Sequence, residues 1–224
     1  MNSLKNPVVL PPYSRKEEIW NMITHIVGGA FGILALIFCV VKAALYHSAM
    51  AVTSSAVYGF SIVLLFVMSS LYHGLIPVKA KKVFRVMDHC TIYLLIAGTY
   101  TPIVLVSLRE VYPIKAWSLF FVVWISALLA IVLTAVDMHK FRVFSMIAYL
   151  AMGWCVLFCI RETMQTVGGR GMLLIFLGGV LYTIGAVIYM IGKKKNTPYV
   201  HMVFHIFVLF ACILHFFAIF LYVL

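Results

Sequence analysis

The sequence predicts an all-α, polytopic membrane protein built as a seven-transmembrane helix bundle. Hydrophobic residues make up 65% of the 224 residues and charged residues only 10%, a composition that cannot cover a water-exposed surface. The apolar residues fall into stretches near the length of about 20 residues with which a helix crosses a bilayer. These stretches are continuously apolar and rich in Leu, Ala and Met, which favours helices over the alternating strands of a membrane barrel.

Seven stretches meet this requirement, and short loops separate most of them. The predicted spans are 22–42, 52–72, 90–108, 116–136, 143–160, 171–191 and 203–224. Residues 1–16 are predicted to be an N-terminal tail and residues 17–224 the membrane domain. Ser14 and Glu17 resemble a capping box, which predicts that the first helix begins before its apolar run.

The first span is entered by a polar stripe. Glu18, Asn21 and His25 are spaced three and four residues apart, so on a helix they share one face. These side chains either support a site on a neighbouring helix or simply cap and bridge helices. Gly28 and Gly32 follow them as a GxxxG pair, which predicts close helix packing.

The remaining spans differ in where they carry polar residues. The second ends with Ser69 and His73, and Asp88 lies just before the third. Gly178, Gly179 and Gly185 recur in the sixth, which indicates helix packing. The seventh opens with His201 and His205. Polar candidates therefore concentrate at three span ends.

The distribution of basic residues is better explained by the orientation of the protein in a membrane than by a nucleic-acid binding surface. The net charge is +11, but the 17 basic residues lie in loops and do not interleave with aromatic residues on a soluble face. Twelve fall on one predicted side: Lys5, Arg15, Lys16, Lys79, Lys81, Lys82, Arg85, Lys140, Arg142, Lys193, Lys194 and Lys195. The other five are Lys42, Arg109, Lys115, Arg161 and Arg170. The positive-inside rule then predicts a cytoplasmic N-terminus and an external C-terminus, with membrane lipids and no nucleic acid as partners.

The seven-span topology brings the polar span ends to one depth. His201 and His205 are four residues apart and project from one helix face, a spacing that suits two ligands of one ion. His73 would supply the third imidazole. Three neutral imidazoles with an open fourth position describe a catalytic zinc site, and Asp88 would hold or deprotonate a water molecule there. The alternative is that these histidines merely form hydrogen bonds within the bundle.

Two further histidines rank below the predicted ligands. His215 lies about 15 Å deeper than His205 by helical rise, too far to bind the same ion. His89 follows Asp88 directly and so points to another face of its helix. His215 is predicted to have a packing or hydrogen-bonding role, and His89 ranks below the three candidate ligands.

Four motifs in order carry a resemblance that covers almost the whole chain from Glu18 onward. Asn21, Thr24 and His25 follow Glu18, SSLYH ends the second span at 69–73, DHCTIYLLIAGTYTP occupies 88–102, and HMVFH opens the seventh at 201–205. Together they closely resemble the hemolysin III family of bacterial membrane proteins. That family lies within the progestin and adipoQ receptor group, which includes the adiponectin receptors and is related to the alkaline ceramidases.

The resemblance implies a seven-helix bundle in the bacterial plasma membrane, with zinc near the cytoplasmic side. By motif matching, His73, His201 and His205 correspond to the metal ligands, Asp88 to the carboxylate that holds the water, and Ser69 to the serine one turn before the first ligand. We expect no counterpart here of the long N-terminal domain of the eukaryotic receptors, so the resemblance concerns the membrane core. A pore-forming, cytolytic activity is ascribed to some bacterial members, but seven apolar spans give it little physical support.

These observations lead to a hypothesis and two rivals. The hypothesis is a zinc-dependent hydrolase of a lipid amide or ester, in which Asp88 is the general base and Ser69 steadies the oxyanion or the water. Its lipid substrate would enter laterally between helices. The first rival is a non-enzymatic membrane sensor in which the zinc is structural, and the second is a pore or transporter. The sequence leaves the oligomeric state open.

Overall fold

The computed structural model describes residues 8–46 and 48–224, so residues 1–7 of the predicted tail lie outside it. All secondary-structure elements in the described residues are helices, and these residues form no strand. We number the α-helices as follows: α1 Arg15–Tyr46, α2 Ala49–Gly74, α3 Val78–Pro102, α4 Pro113–Val136, α5 Arg142–Gly153, α6 Ile160–Lys194 and α7 Val200–Tyr222.

The start of α1 confirms the predicted capping box. The Glu17 carboxylate accepts hydrogen bonds from the Ser14 backbone N–H at 2.9 Å and from the Ser14 hydroxyl at 2.8 Å. The Ser14 hydroxyl in turn accepts from the Glu17 backbone N–H at 3.3 Å. These contacts satisfy backbone donors that a starting helix otherwise leaves free, so α1 begins at Arg15.

The third helix begins well before its apolar run. It starts at Val78, whereas the predicted span starts at residue 90. The first turns carry Lys79 and Lys82 beside exposed Val78 and Val83 and are amphipathic, so hydropathy alone does not mark them as helix. At its other end α3 continues into a π-helix, Ile103–Leu108, and a last turn, Arg109–Val111. Asp88 therefore lies inside a helix, not ahead of one.

Six helical stretches of the described chain are long and apolar enough to cross a membrane. They are Arg15–Tyr46, Ala49–Gly74, Val78–Val111, Pro113–Val136, Arg142–Lys194 and Val200–Tyr222. The predicted fifth and sixth spans, 143–160 and 171–191, both fall in the stretch Arg142–Lys194. A 3₁₀ segment, Cys155–Cys159, follows α5 in this stretch.

The stretch Arg142–Lys194 also contains a sharp break. Gly168 has a φ of +77°, outside the helical region and accessible to glycine at little cost. Before the break, Tyr112 donates a hydrogen bond to Gln165 at 2.5 Å, which places residue 165 beside the turn that precedes α4. After the break, Gly171 packs against Tyr222 and Gly192 against Val200. The later part of α6 therefore runs antiparallel to α7.

Close packing joins the helices that carry the polar stripe and the predicted ligands. A Cβ atom added at Gly28 would lie 2.3 Å from the Phe66 ring, and one at Gly32 would lie 2.8 Å from Ile62. The GxxxG prediction is thus confirmed as an α1 to α2 contact. Helix α1 also contacts α7, so the polar stripe of α1 lies between the end of α2 and the start of α7.

Candidate metal centre

Three predicted ligands meet at one end of the bundle. His73 ends α2, and His201 and His205 lie in the first turns of α7. One ring nitrogen from each lies within 4.8 Å of the other two. The Nε2 atoms of His201 and His205 are 3.1 Å apart. Two ligands of a tetrahedral zinc at about 2.0–2.1 Å lie roughly 3.4 Å from each other, so this spacing is close to that of two nitrogens on one ion.

The environment of His73 fixes which nitrogen carries its proton. Its Nδ1 lies 2.6 Å from a carboxylate oxygen of Glu18, and the other oxygen of Glu18 lies 2.8 Å from Nζ of Lys81. An ionised carboxylate only accepts, so Nδ1–H of His73 must be the donor. Its Nε2 is then a bare lone pair, buried and without a hydrogen-bond partner among the described residues.

His205 has a similar support from α1. Its Nδ1 lies 3.3 Å from the backbone oxygen of Asn21 and 3.2 Å from the Thr24 hydroxyl. The carbonyl accepts from Nδ1–H, which leaves Nε2 as the ligand atom. Such contacts to the second ring nitrogen orient metal-binding imidazoles and raise their basicity. The sequence signalled this role through the polar stripe but left open whether the stripe only bridges helices.

The donor set fits a zinc ion. His73 and His205 are held in the tautomer that presents a bare Nε2, and Nε2 of His205 faces Nε2 of His201 at 3.1 Å. Bare nitrogens at this separation repel one another unless a proton or a cation lies between them. His73 and His205 are 1% and 2% exposed, so their Nε2 lone pairs have little access to water. Three neutral imidazoles are a familiar zinc donor set that leaves a fourth position open.

Asp88 and Ser69 lie next to this group without belonging to it. Asp88 is buried on α3 and close enough to His73 to interact with it electrostatically. Ser69 lies one turn before His73 on α2, fully buried and beside the Asp88 carboxyl group. Its hydroxyl has no direct hydrogen-bond partner in the described chain. The two predicted catalytic residues and the three imidazoles thus share one corner of the bundle.

His25, for which the sequence left a supporting and a bridging role open, packs directly against a predicted ligand. Its ring centroid lies 3.6 Å from that of His205, and its ring edge packs on Phe66. Both ring nitrogens are buried and have no hydrogen-bond partner within the described residues. The nitrogens of His25 do not belong to the group formed by the three ligands. His25 therefore supports His205 by contact, a role that the polar stripe and the first family motif both signalled.

His89 and His215 stay outside the metal centre, as predicted. His89 follows Asp88 on α3 and lines the cavity described below. His215 donates through Nε2 to the backbone oxygen of Ile175 at 3.0 Å, a contact between α7 and α6. Neither residue contributes a nitrogen to the three-imidazole group.

A cavity of about 950 Å³ begins at the metal centre and extends far into the bundle. His201, His205 and Asp88 line one end of it, and Thr99, Trp154 and His215 line the deep end. Its walls come mainly from α3, α5, α6 and α7, and apolar side chains dominate its depth. A cavity of this size and lining accommodates the apolar chain of a lipid.

The segment that precedes α1 lies over the metal-centre end of the cavity. Residues 8–13 line the cavity, and the Tyr13 ring stacks on His201 with centroids 5.4 Å apart and an interplanar angle of 11°. Burial raises the pKa of the Tyr13 phenol, so it stays protonated at neutral pH. The described part of the predicted tail thus covers His201.

Comparison with known proteins agrees with the motifs. The family model described as Haemolysin-III related matches residues 13–216. The chain is 38% identical to Hemolysin-3 of Bacillus cereus over 209 residues, which are 93% of this chain and 93% of that protein. It is 37% identical to the Hemolysin-3 homolog of Bacillus subtilis (strain 168), over 94% of this chain and 96% of that one. It is also 27% identical to the human Monocyte to macrophage differentiation factor, over 74% of this chain and 68% of that one.

Proposed function

This chain belongs to the haemolysin-III related family of multi-pass membrane proteins, and from that premise we propose that it is a zinc-dependent hydrolase that cleaves an amide or ester in a membrane lipid. One observation carries the proposal. The Nε2 atoms of His73 and His205 are held bare, Asp88 interacts electrostatically with His73, and Asp88 and His205 line the end of a cavity large enough for a lipid chain.

Each residue around the metal centre has a separate role in the proposed hydrolysis. His73, His201 and His205 would hold the zinc, which when bound polarises a carbonyl group and lowers the pKa of water. Asp88 accepts the proton of the attacking water as general base. The Ser69 hydroxyl, which lies beside Asp88, donates a hydrogen bond to the oxyanion or to the water. The apolar tail of the substrate enters between helices and occupies the cavity.

The proposal includes a membrane topology with seven crossings. The stretch Arg142–Lys194 has 53 residues, and as one straight helix it would be roughly 80 Å long, far more than the about 30 Å core of a bilayer. The break at Gly168 lets residues 142–165 cross in one direction and residues 169–194 return. With the basic residues inside, the N-terminus and the metal centre face the cytoplasm of a bacterial cell, and the C-terminus lies outside.

Lipid turnover and metal content, measured together, test the proposal. The protein is purified in uncharged detergent and incubated with amide-linked and ester-linked lipids, with and without a zinc chelator. We expect hydrolysis of at least one lipid class that stops when the zinc is removed. Replacing Asp88 by Ala should abolish turnover and keep the zinc. Replacing any of His73, His201 or His205 by Ala should lose the zinc, whereas His89→Ala should keep it.

One observation favours a non-enzymatic sensor as the second candidate. The donor set joins α2 to α7, so a bound ion would tie two helices that are distant in sequence. A structural zinc predicts that chelation lowers the thermal stability and that no lipid class is hydrolysed. A variant of Asp88 that unfolds the protein, instead of silencing it, would also favour this candidate.

A further inference from the structure

Along two walls of the cavity, formed by α3 and α6, the lining side chains change from charged at one end to uncharged at the other. On α3 the lining residues are Arg85, Asp88, His89, Ile92, Leu95, Ile96, Thr99 and Tyr100. On α6, read towards the same depth, they are Lys194, Lys193, Met190, Tyr189, Ala186, Thr183, Tyr182 and Gly179. Both series follow the three- and four-residue spacing of one helix face. The basic residues lie at the metal-centre end, and the deeper residues of both series are uncharged, with apolar side chains beside the hydroxyl groups of Thr99 and Thr183.

The metal-centre end of the cavity has an excess of positive charge. Four basic residues line it, Arg85, Arg142, Lys193 and Lys194, against two acidic ones, Glu17 and Asp88. Glu17 is already engaged by Ser14 and by the backbone N–H of Tyr199. A bound divalent cation would increase the excess. A cavity mouth with this balance attracts and holds an anion.

Arg85 and Lys193 are the two basic residues best placed to bind that anion. Both are partly buried, whereas Arg142 and Lys194 are exposed. Both act electrostatically on His89, and Lys193 also acts on His201. Within residues 8–46 and 48–224 neither forms a salt bridge, and Lys193 donates only to the Tyr189 hydroxyl, at 3.0 Å. Arg85 also acts electrostatically on Asp88, one turn further along α3, but forms no ion pair with it. A partly buried cation without a direct carboxylate contact favours a charge-assisted contact with an anionic ligand.

We propose that Arg85 and Lys193 form an anion subsite at the mouth of the cavity, which selects lipids with a net negative headgroup. This inference rests on the proposed function, since it places the headgroup beside the metal centre and the acyl chain along Ile92 and Ile96. The guanidinium of Arg85 offers paired donors to a phosphate or carboxylate group, and Lys193 adds a point charge.

A competition between two lipids with the same chain tests the subsite. The full-length protein in uncharged detergent is mixed with equal amounts of oleoyl lysophosphatidylglycerol, which is anionic, and oleoyl lysophosphatidylcholine, which is zwitterionic. Native mass spectrometry then counts each bound lipid. We expect the anionic lipid to be preferred by at least about tenfold, the range of a charge-assisted hydrogen bond. Equal binding of the two lipids would overturn the proposal.

Matched variants separate the subsite from the general positive charge. Arg85→Gln with Lys193→Gln should reduce the preference to about twofold or less, with zinc content and melting temperature unchanged. Lys79→Gln with Lys195→Gln removes two exposed charges from the same two regions outside the cavity lining and should keep the preference. Arg85→Lys should retain most of it. A preference that survives in the Arg85 and Lys193 double variant would contradict the assignment.

Two further measurements separate a lipid headgroup from a soluble anion as the ligand, and the anion subsite from the proposed hydrolase activity. Inorganic phosphate should not displace the anionic lipid at millimolar concentration, and displacement would assign the subsite to soluble anions. Binding is measured without turnover, so a preference in a protein that hydrolyses no lipid would support the subsite and reject the hydrolase. Hydrolysis of neutral and anionic lipids at equal rates, with no binding preference, would reject the subsite and support the hydrolase.

Discussion

Nδ1 of His73 and a carboxylate oxygen of Glu18 lie 2.6 Å apart across the contact between α1 and α2. The contact is buried and fixes both the tautomer and the ring orientation of His73. Glu18 is itself held by Lys81, so three helices, α1, α2 and α3, position one predicted ligand. The proposed zinc site would therefore depend on a residue that does not itself supply a ligand.

Replacing Glu18 by Ala should weaken zinc binding by about 10- to 100-fold, because the His73 ring loses its acceptor and its fixed tautomer. The affinity is measured by competition with a chromogenic chelator in detergent. Glu18→Gln keeps a hydrogen-bond acceptor for His73 and should lose less of the zinc affinity. Lys81→Met removes the other partner of Glu18 and is the control, with a small expected effect. An affinity in Glu18→Ala equal to that of the unmodified protein would show that the contact does not support the metal.

The sequence could place the candidate ligands at one depth but could not orient the helices around them. The spacing of Glu18, Asn21 and His25 indicates a shared face, yet which ligand that face meets depends on helix rotation, set by packing such as that of Gly28 on Phe66. Hydropathy did not indicate that α3 begins at Val78, because the lysines in its first turns lower the mean hydropathy of that segment. Residues 8–13 show no periodicity, so their place over the cavity had no sequence signal.

The Tyr13 ring that stacks on His201 predicts a barrier to metal exchange. Tyr13→Ala should open the mouth of the cavity and speed the loss of zinc to EDTA several-fold, with little change in equilibrium affinity because the ligands remain. Stopped-flow fluorescence with a zinc indicator measures the rate. Tyr13→Phe keeps the ring and should exchange as the unmodified protein does. Tyr46, 74% exposed at the other end of α1, gives the control Tyr46→Ala. Equal rates in all variants would show that residues 8–13 do not shield the ion.

The close contact between Gly59 and Leu36 predicts that adding one methyl group at Gly59 greatly lowers the stability of the protein. A Cβ atom at Gly59 would lie 2.5 Å from the Cα atom of Leu36, so the backbones of α1 and α2 would have to separate. Gly59→Ala should lower stability by about 1–3 kcal/mol, seen as a lower melting temperature in detergent. Gly153→Ala is the matched control, because nothing lies within 4 Å of the added atom. A Gly59→Ala melting temperature at or above that of Gly153→Ala would contradict the packing.

The chain reversal at Gly168 predicts that residues 170 and 195 face opposite sides of the membrane. With the five native cysteines replaced, Arg170→Cys should react with a membrane-impermeant maleimide in intact cells, as should Lys115→Cys near the start of α4. Lys195→Cys should react only after permeabilisation, because about 25 helical residues, roughly 38 Å, separate it from Arg170 and exceed the bilayer core of about 30 Å. Labelling of residues 170 and 195 from the same side would reject the return crossing. Protection of both Arg170→Cys and Lys115→Cys in intact cells would instead reverse the proposed orientation and place the metal centre outside.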